Sequence, residues 1–218
     1  MKVGIDGVLL GSWAPICQAE KILDIGTGTG LIALMLAQRS GANVTGIDID
    51  TDAIAQATEN IINSAWRDKV TVQKISLQEF ANKTNLRFDL IVSNPPFFVN
   101  SLKAPSESRT SARHTDSLSH EELIENAMKL LSPKGRICII LPMKEGMQCM
   151  EFAISIGLYC SKQVTVFPKP NTDAKRILLE FSLLPTLKIG SDLVIESDIR
   201  HHYSPEFTEL ARDFYLKL

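Results

Sequence analysis

Asn94, Pro95, Pro96 and Phe97 follow directly on the run Leu90-Ile91-Val92-Ser93. The Asn94 side-chain oxygen and the Pro95 carbonyl are two hydrogen-bond acceptors on adjacent residues, and proline brings no competing N–H. A planar NH2 group has two hydrogens to give. If both are taken, the nitrogen lone pair leaves conjugation with its ring and points out of the plane, so a neutral amine becomes a nucleophile without a strong base. Phe97 suits stacking on the attached ring, as aromatic side chains do under a splayed base. The same residues also read as an ordinary strand-to-loop turn, since Asn-Pro pairs commonly start turns.

A second constellation lies upstream. Lys21-Ile22-Leu23-Asp24-Ile25 reads as a short strand, Gly26-Thr27-Gly28-Thr29-Gly30 as a tight glycine turn, and residues 31–37 as a helix packed on a sheet. Glycines let the backbone turn sharply and approach a ligand closely, with helix N–H groups facing it. The spacing departs from a dinucleotide fingerprint, because Leu31 stands where the third glycine of that pattern falls. An acid just ahead of the glycines suits an ammonium or sulfonium charge better than a pyrophosphate. The next strand, residues 43–47, ends in Asp48, placed where an acid commonly accepts from ribose hydroxyls. A helix N-cap is the competing role for Asp48, although Asp50 and Thr51 are available for that. Ile49 is expected to lie against an adenine face, with Ser76 and Leu77 beside it at the end of a strand over 69–75. Gln78 and Glu79 read equally well as the first turn of a helix.

These residues need a frame. An apolar strand that stops on Asn-Pro-Pro gives a rigid ledge at a strand's carboxyl end, where ligands of open α/β sheets sit. The opening, from Met1 to Trp13, reads as a turn over Gly4 to Gly7 followed by an apolar run, and its abrupt start leads us to expect further residues upstream. Within it Asp6 either caps the following helix or holds a ligand's ammonium group. A helix is expected over 52–64, and another from Ser119, whose spacing to Glu122 is a capping box, through Leu131. Ser132-Pro133-Lys134-Gly135 reads as a turn into a strand over 136–141, followed by a helix over 144–155. Strands over 158–167 and 176–184, with residues 168–175 between them, form a hairpin, so the sheet should end antiparallel. Residues 189–195 should be extended and 205–216 helical.

Residues 99–117 form a long Ser/Thr-rich stretch, expected to be a loop over the substrate. Arg109 and Arg113 in it would meet phosphates, or be solvated loop charges; His114 reads as incidental. Lys169, Lys175 and Arg176 at the last hairpin suggest a phosphate-binding edge, with edge-strand charges that block aggregation as the competing reading.

The chain of 218 residues is long enough for one α/β domain over 1–218, with no internal repeat and no compositional break. A net charge of -2 gives no global attraction to nucleic acid, so any such binding must use a local basic patch. No signal segment or membrane-length apolar run is present, and Cys17, Cys138, Cys149 and Cys160 have no metal-site spacing. They read as reduced, buried thiols of a cytoplasmic protein.

Taken together, Asp24 to Gly30, Asp48 and Asn94-Pro95-Pro96-Phe97 resemble the class I S-adenosylmethionine-dependent methyltransferases that act on exocyclic or amide nitrogens. Further segments, Lys2 to Gly11, Ala112-Arg113-His114-Thr115, Lys175 to Leu179 and Tyr203-Ser204-Pro205-Glu206-Phe207, make nearly the whole chain similar to bacterial tRNA adenine-N6 methyltransferases. Ile5 departs from the threonine that these relatives often carry. The resemblance implies a Rossmann-like fold with a seven-stranded, mostly parallel sheet, its last strand antiparallel, and helices on both faces. It also implies S-adenosylmethionine as cofactor, tRNA as partner, and no metal, membrane or obligate protein partner. Asp24, Gly26, Thr27, Gly28 and Gly30 would surround the methionine part. Asp48 and Ile49, with Ser76 and Leu77, would hold ribose and adenine, while Asn94, Pro95, Pro96 and Phe97 would seat the target amine. The same tetrapeptide serves guanine-N2 methylation of ribosomal RNA and glutamine methylation of release factors. The glutamine enzymes usually carry Tyr at the position of Phe97 and a separate helical amino-terminal domain. A nicotinamide-dependent oxidoreductase is disfavoured by the glycine spacing, and a non-catalytic cofactor- and RNA-binding module by the Asn94 ledge.

Overall fold

Strands β1 (Lys21–Ile25), β2 (Asn43–Asp48), β3 (Val70–Lys74), β4 (Phe88–Ser93), β5 (Leu131–Pro142), β6 (Tyr159–Phe167), β7 (Arg176–Ser182) and β8 (Ile189–Val194) form one sheet in the order β3-β2-β1-β4-β5-β7-β6-β8. The structure is a computed structural model and describes residues 4–95, 118–199 and 202–215. Only β7 runs antiparallel to its neighbours β5 and β6, as the hairpin spacing requires. β8 adds an eighth strand to the seven expected, pairing parallel with the outer side of β6. The strand order reverses between β1 and β4, and in open α/β sheets the carboxyl ends of the strands at such a point are where ligands bind.

Helices cover both faces because the strands are apolar on both. On one side Ile22, Leu90, Val92, Ile140 and Leu178 meet α1 (Ile5–Trp13), α2 (Leu31–Arg39), the end of α3 (Thr51–Ile62) and α7 (Pro205–Ala211). On the other Leu23, Ile91, Ile139 and Leu179 meet α4 (Leu77–Lys83), α5 (His120–Leu130) and α6 (Met143–Ser155). The Ser119–Glu122 capping box is formed in both directions at the start of α5.

Three expectations change. The opening is helical from Ile5, and Asp6 lies inside the first turn of α1, whose cap residue is Gly4, so Asp6 is not the cap. Ser132 to Gly135 continue β5 rather than turning, because Leu131 already pairs with Phe88 and an irregularity between Phe88 and Leu90 absorbs the mismatch. Gly135 is required there by close approach: a Cβ would lie 2.8 Å from the Phe88 carbonyl oxygen. Cys17 is exposed, whereas Cys138, Cys149 and Cys160 are buried thiols as expected.

Gly146 of α6 packs on β7, and a Cβ there would run into Ile177 Cγ2, a side chain with no solvent exposure. An alanine inside a helix normally gains about 1 kcal/mol over glycine. Overpacking a closed core costs about 1–3 kcal/mol, so the clash should win. Gly146→Ala should therefore lower the denaturation midpoint in a urea titration; a raised midpoint would show that α6 can move off the sheet.

Candidate active site

The strand register sets out the site. Ile25 is opposite Ile47 on one side and Ser93 on the other, so the next residues outward, Asp48, Gly26 and Asn94, stand in a row on β2, β1 and β4. β3 extends the row, since Lys74 is opposite Asp48 and the Ile75 N–H donates to the Asp48 carbonyl at 2.9 Å. Strands lie about 4.8 Å apart, so the row spans roughly 14 Å from Ile75 to Asn94.

Gly26, Gly28 and Gly30 have φ of +69°, +56° and +79°, backbone that side chains rarely adopt, which explains the glycine run. The loop's N–H groups are largely spoken for: Gly26 and Thr27 donate to the Ile47 carbonyl, Gly30 to the Thr27 carbonyl, and Gly28 to Asp48 Oδ2 at 2.9 Å. A loop so occupied is a poor pyrophosphate cradle, in line with the spacing argument. Asp48 Oδ1 accepts from the Asp50 N–H at 3.0 Å. Each Asp48 oxygen keeps a further lone pair, enough for a diol. Asp50, not Asp48, caps α3 by accepting from Asp52 and Ala53. Ile49 is 52% exposed, which leaves its side chain open to a planar ligand face. Ser76 Oγ caps α4 through the Glu79 N–H, and the Leu77 side chain is buried in the core.

Asp24 has no solvent exposure. Its Oδ2 accepts from Thr27 Oγ1 at 2.7 Å, while Oδ1 is buried without a hydrogen-bond partner among the described residues. Burial pushes its pKa up to about 7, the Thr27 hydrogen bond and the approach of the Ala33 backbone N–H offset part of that, and the nearby Asp48 charge adds to it. A carboxyl so placed gains by meeting a cation.

On the other side of Gly26, Asn94 is half-buried and Pro95 buried. Ser93 Oγ donates to the Ile25 carbonyl at 2.9 Å, tying the ledge to the start of the glycine loop. Pro96, Phe97, Arg109 and Arg113 lie outside the described residues. The β6–β7 connection is at the same end of the sheet, with Lys175 exposed and Lys169 paired to Glu196 at 3.1 Å. Arg176 sits on an interior strand, so the reading of it as an edge-strand charge does not hold; its Nε donates to Asp6 Oδ2 at 2.8 Å.

The model of the methyltransferase small domain family matches residues 8–155. The chain is 49% identical to the tRNA1(Val) (adenine(37)-N6)-methyltransferase of Parabacteroides distasonis, over 100% of this chain and 92% of that one. With the enzyme of that name from Trichodesmium erythraeum it shares 48% identity, over 100% and 92%. The chain belongs to the methyltransferase small domain family. Among solved structures, a predicted O-methyltransferase from Agrobacterium tumefaciens superposes with a TM-score of 0.72 at 19% identity, covering 95% of both chains. A glycopeptide N-methyltransferase complexed with sinefungin gives a TM-score of 0.57 at 13% identity, over 76% of this chain and 81% of that one. These two share the fold.

Within this methyltransferase, three supports escaped the sequence reading. Asn60 Nδ2 of α3 donates to the Thr29 carbonyl at 2.9 Å, holding the outer limb of the glycine loop. Gly46 leaves the space that Thr27 occupies, since a Cβ there would lie 2.8 Å from Thr27 Oγ1. Ser93 makes the bond described above. None carries a local signal, apart from a glycine inside a strand, which marks close approach.

The Asp24 shift has a sign that can be measured. Between pH 3.8, where the unfolded carboxyl ionises, and about 7, the folded protein holds a proton that the unfolded chain has lost, so this group lowers stability as pH rises and its effect is flat above. Asp24→Asn should therefore melt higher than the parent at pH 8, with the difference shrinking as pH falls to 4. A constant difference across that range would mean that Asp24 is ionised in the fold throughout.

Proposed function

We propose that this methyltransferase, with residues 1–218 working as one cytoplasmic domain, transfers a methyl group from S-adenosylmethionine to N6 of an adenine in tRNA, adenine 37 of valine tRNA. The observation that carries the reading is the β1–β4 register, which sets the two-acceptor ledge of Asn94 and Pro95 one inter-strand step from Gly26. The relatives' names supply the acceptor.

When bound, S-adenosylmethionine would supply a methyl group on a positively charged sulfur, the carbon–sulfur bond breaking as the carbon–nitrogen bond forms and leaving the neutral thioether S-adenosylhomocysteine. The residues fit it: the unpartnered Asp24 oxygen suits its cationic methionine end, against Gly26, Thr27, Gly28 and Gly30. Asp48 suits the ribose diol, and Ile49, Ser76 and the Leu77 backbone the adenine. Asn94 and Pro95 accept both hydrogens of the target amine, which turns its lone pair out of the ring plane toward the glycine loop. Phe97, next along the chain after Asn94-Pro95-Pro96, would stack under the target base. The methylated nitrogen carries an extra, acidic proton that leaves to solvent, so no strong base is required. Alignment in a site sheltered from water then supplies most of the acceleration. Residue 37 must be splayed from its stack, which favours an unpaired loop over a duplex. Lys169 and Lys175, with Arg109 and Arg113, would meet the phosphates.

Incubation with methyl-labelled cofactor and total tRNA, followed by nucleoside analysis, should yield labelled N6-methyladenosine. Label in N2-methylguanosine or in protein would transfer the chemistry to another acceptor. Asn94→Ala should cut turnover by about 10²-fold or more, as removal of one aligned polar partner does elsewhere, while equilibrium dialysis shows the cofactor still bound. Turnover near the parent's would remove Asn94 from the reaction.

A further inference from the structure

Two segments 170 residues apart meet at the carboxyl end of the sheet, where Arg176 Nε donates to Asp6 Oδ2 at 2.8 Å. The side chains are only 28% and 13% exposed, so the contact is largely shielded from solvent. Its position follows from packing. A Cβ on Gly7 would touch Leu31 Cδ2 at 3.3 Å, and one on Gly11 would crowd Met35. Arg39 Nη1 donates to the Gly11 and Ala14 carbonyls at 2.6 and 3.0 Å. Helix α1 therefore runs alongside α2 in the same direction. Since α2 starts where the glycine loop ends, the first turn of α1 also lies at the carboxyl end of the sheet, against the cofactor half.

Arg176 belongs to the other half. It is opposite Pro142 of β5, and Pro142 lies three residues beyond Ile139, which is opposite Ser93. The arginine thus rises above the rim on the far side of β5 from the Asn94 ledge. Among the described residues the first turn of α1 has no side-chain cap, because its cap residue is Gly4. A carboxylate in that turn is also favoured by the helix dipole.

We propose that the Asp6–Arg176 pair is a strap across the point where strand order reverses: it fixes the start of α1 over the boundary between the cofactor half and the acceptor half, and so positions the target base. This rests on the methyl-transfer reading above. The two residues act as positioning residues, and Arg176 is a tie within the protein rather than a free phosphate contact. The glycine loop has its own supports in Asp48, Thr27 and Asn60, so loss of the strap should act on the acceptor and spare the cofactor.

The test is a double-mutant cycle of Asp6→Asn, Arg176→Gln and the pair together. It is read as kcat/KM for tRNA, cofactor affinity by calorimetry, and salt dependence of tRNA binding. Each single change should lower kcat/KM about tenfold, as loss of alignment does. The double should be no worse than either single, because both break one tie. Cofactor affinity should stay within about twofold, and the salt slope should match the parent's. An unchanged kcat/KM in Asp6→Asn would overturn the strap, as would effects that multiply in the double, or a cofactor affinity that falls in step. A shallower salt slope confined to Arg176→Gln would make that residue a phosphate contact instead. The parent run alongside separates the two claims. If its label goes to guanine or to protein, the function reading fails, and the cycle is scored on that acceptor with the same outcomes.

Discussion

The register of β1 against β4 is the constraint on which the site depends. Four residue pairs, from Ile22 with Leu90 to Ile25 with Ser93, fix how far each strand reaches, and the Ser93 hydroxyl locks the last pair. A slip of one residue would turn Leu90 and Val92 from one helix layer to the other and carry Asn94 away from Gly26. Both strands are buried on both faces, so that slip would expose or mispair apolar side chains along their length. Burial of the two strands therefore holds the Asn94 ledge in place, with the Ser93 hydroxyl bond added at its end.

Two buried carboxylates show how this protein separates structure from chemistry. Glu180 on β7 is 3% exposed, but Ser161 donates to it at 2.5 Å, and Arg136 and Lys162 stand 3.5 and 3.9 Å away. Two cations therefore flank it, although its Oε2, like Asp24 Oδ1, makes no hydrogen bond among the described residues. Asp24 is more deeply buried, has Thr27 as its side-chain donor, and makes no salt bridge among the described residues. A buried carboxyl with no cation beside it has its pKa raised, as Asp24 does, which is the environment a cationic ligand group would relieve. Asp48 is the intermediate case: backbone N–H groups pin both of its oxygens and leave each with acceptor capacity.

Some local signals were overridden by pairing. Pro133 and Gly135 are turn formers, yet they lie within β5, because Leu131 pairs with Phe88 and Arg136 with Leu90, an irregularity between those pairs takes up the extra residues, and Gly135 lets the backbones approach. The Gly4 to Gly7 segment looks like a turn, but the glycines at 7 and 11 are one helical turn apart and serve the contact between α1 and α2. Arg176 looks like an edge charge only while β7 is taken to be the edge; β6 and β8 lie outside it.

By itself the sequence determined the strand that halts on Asn94-Pro95, the glycine loop after Asp24, the acid at the end of β2, the capping box at Ser119 and the final hairpin, because each is written in residues a few positions apart. Only the tertiary structure decided which chain ends share a rim. Asp6 with Arg176, Asn60 with Thr29, Ser93 with Ile25, and the space at Gly46 for Thr27 all join segments whose separation carries no periodicity. Strand order and register created those contacts, and both follow from the burial of two apolar faces over the whole sheet.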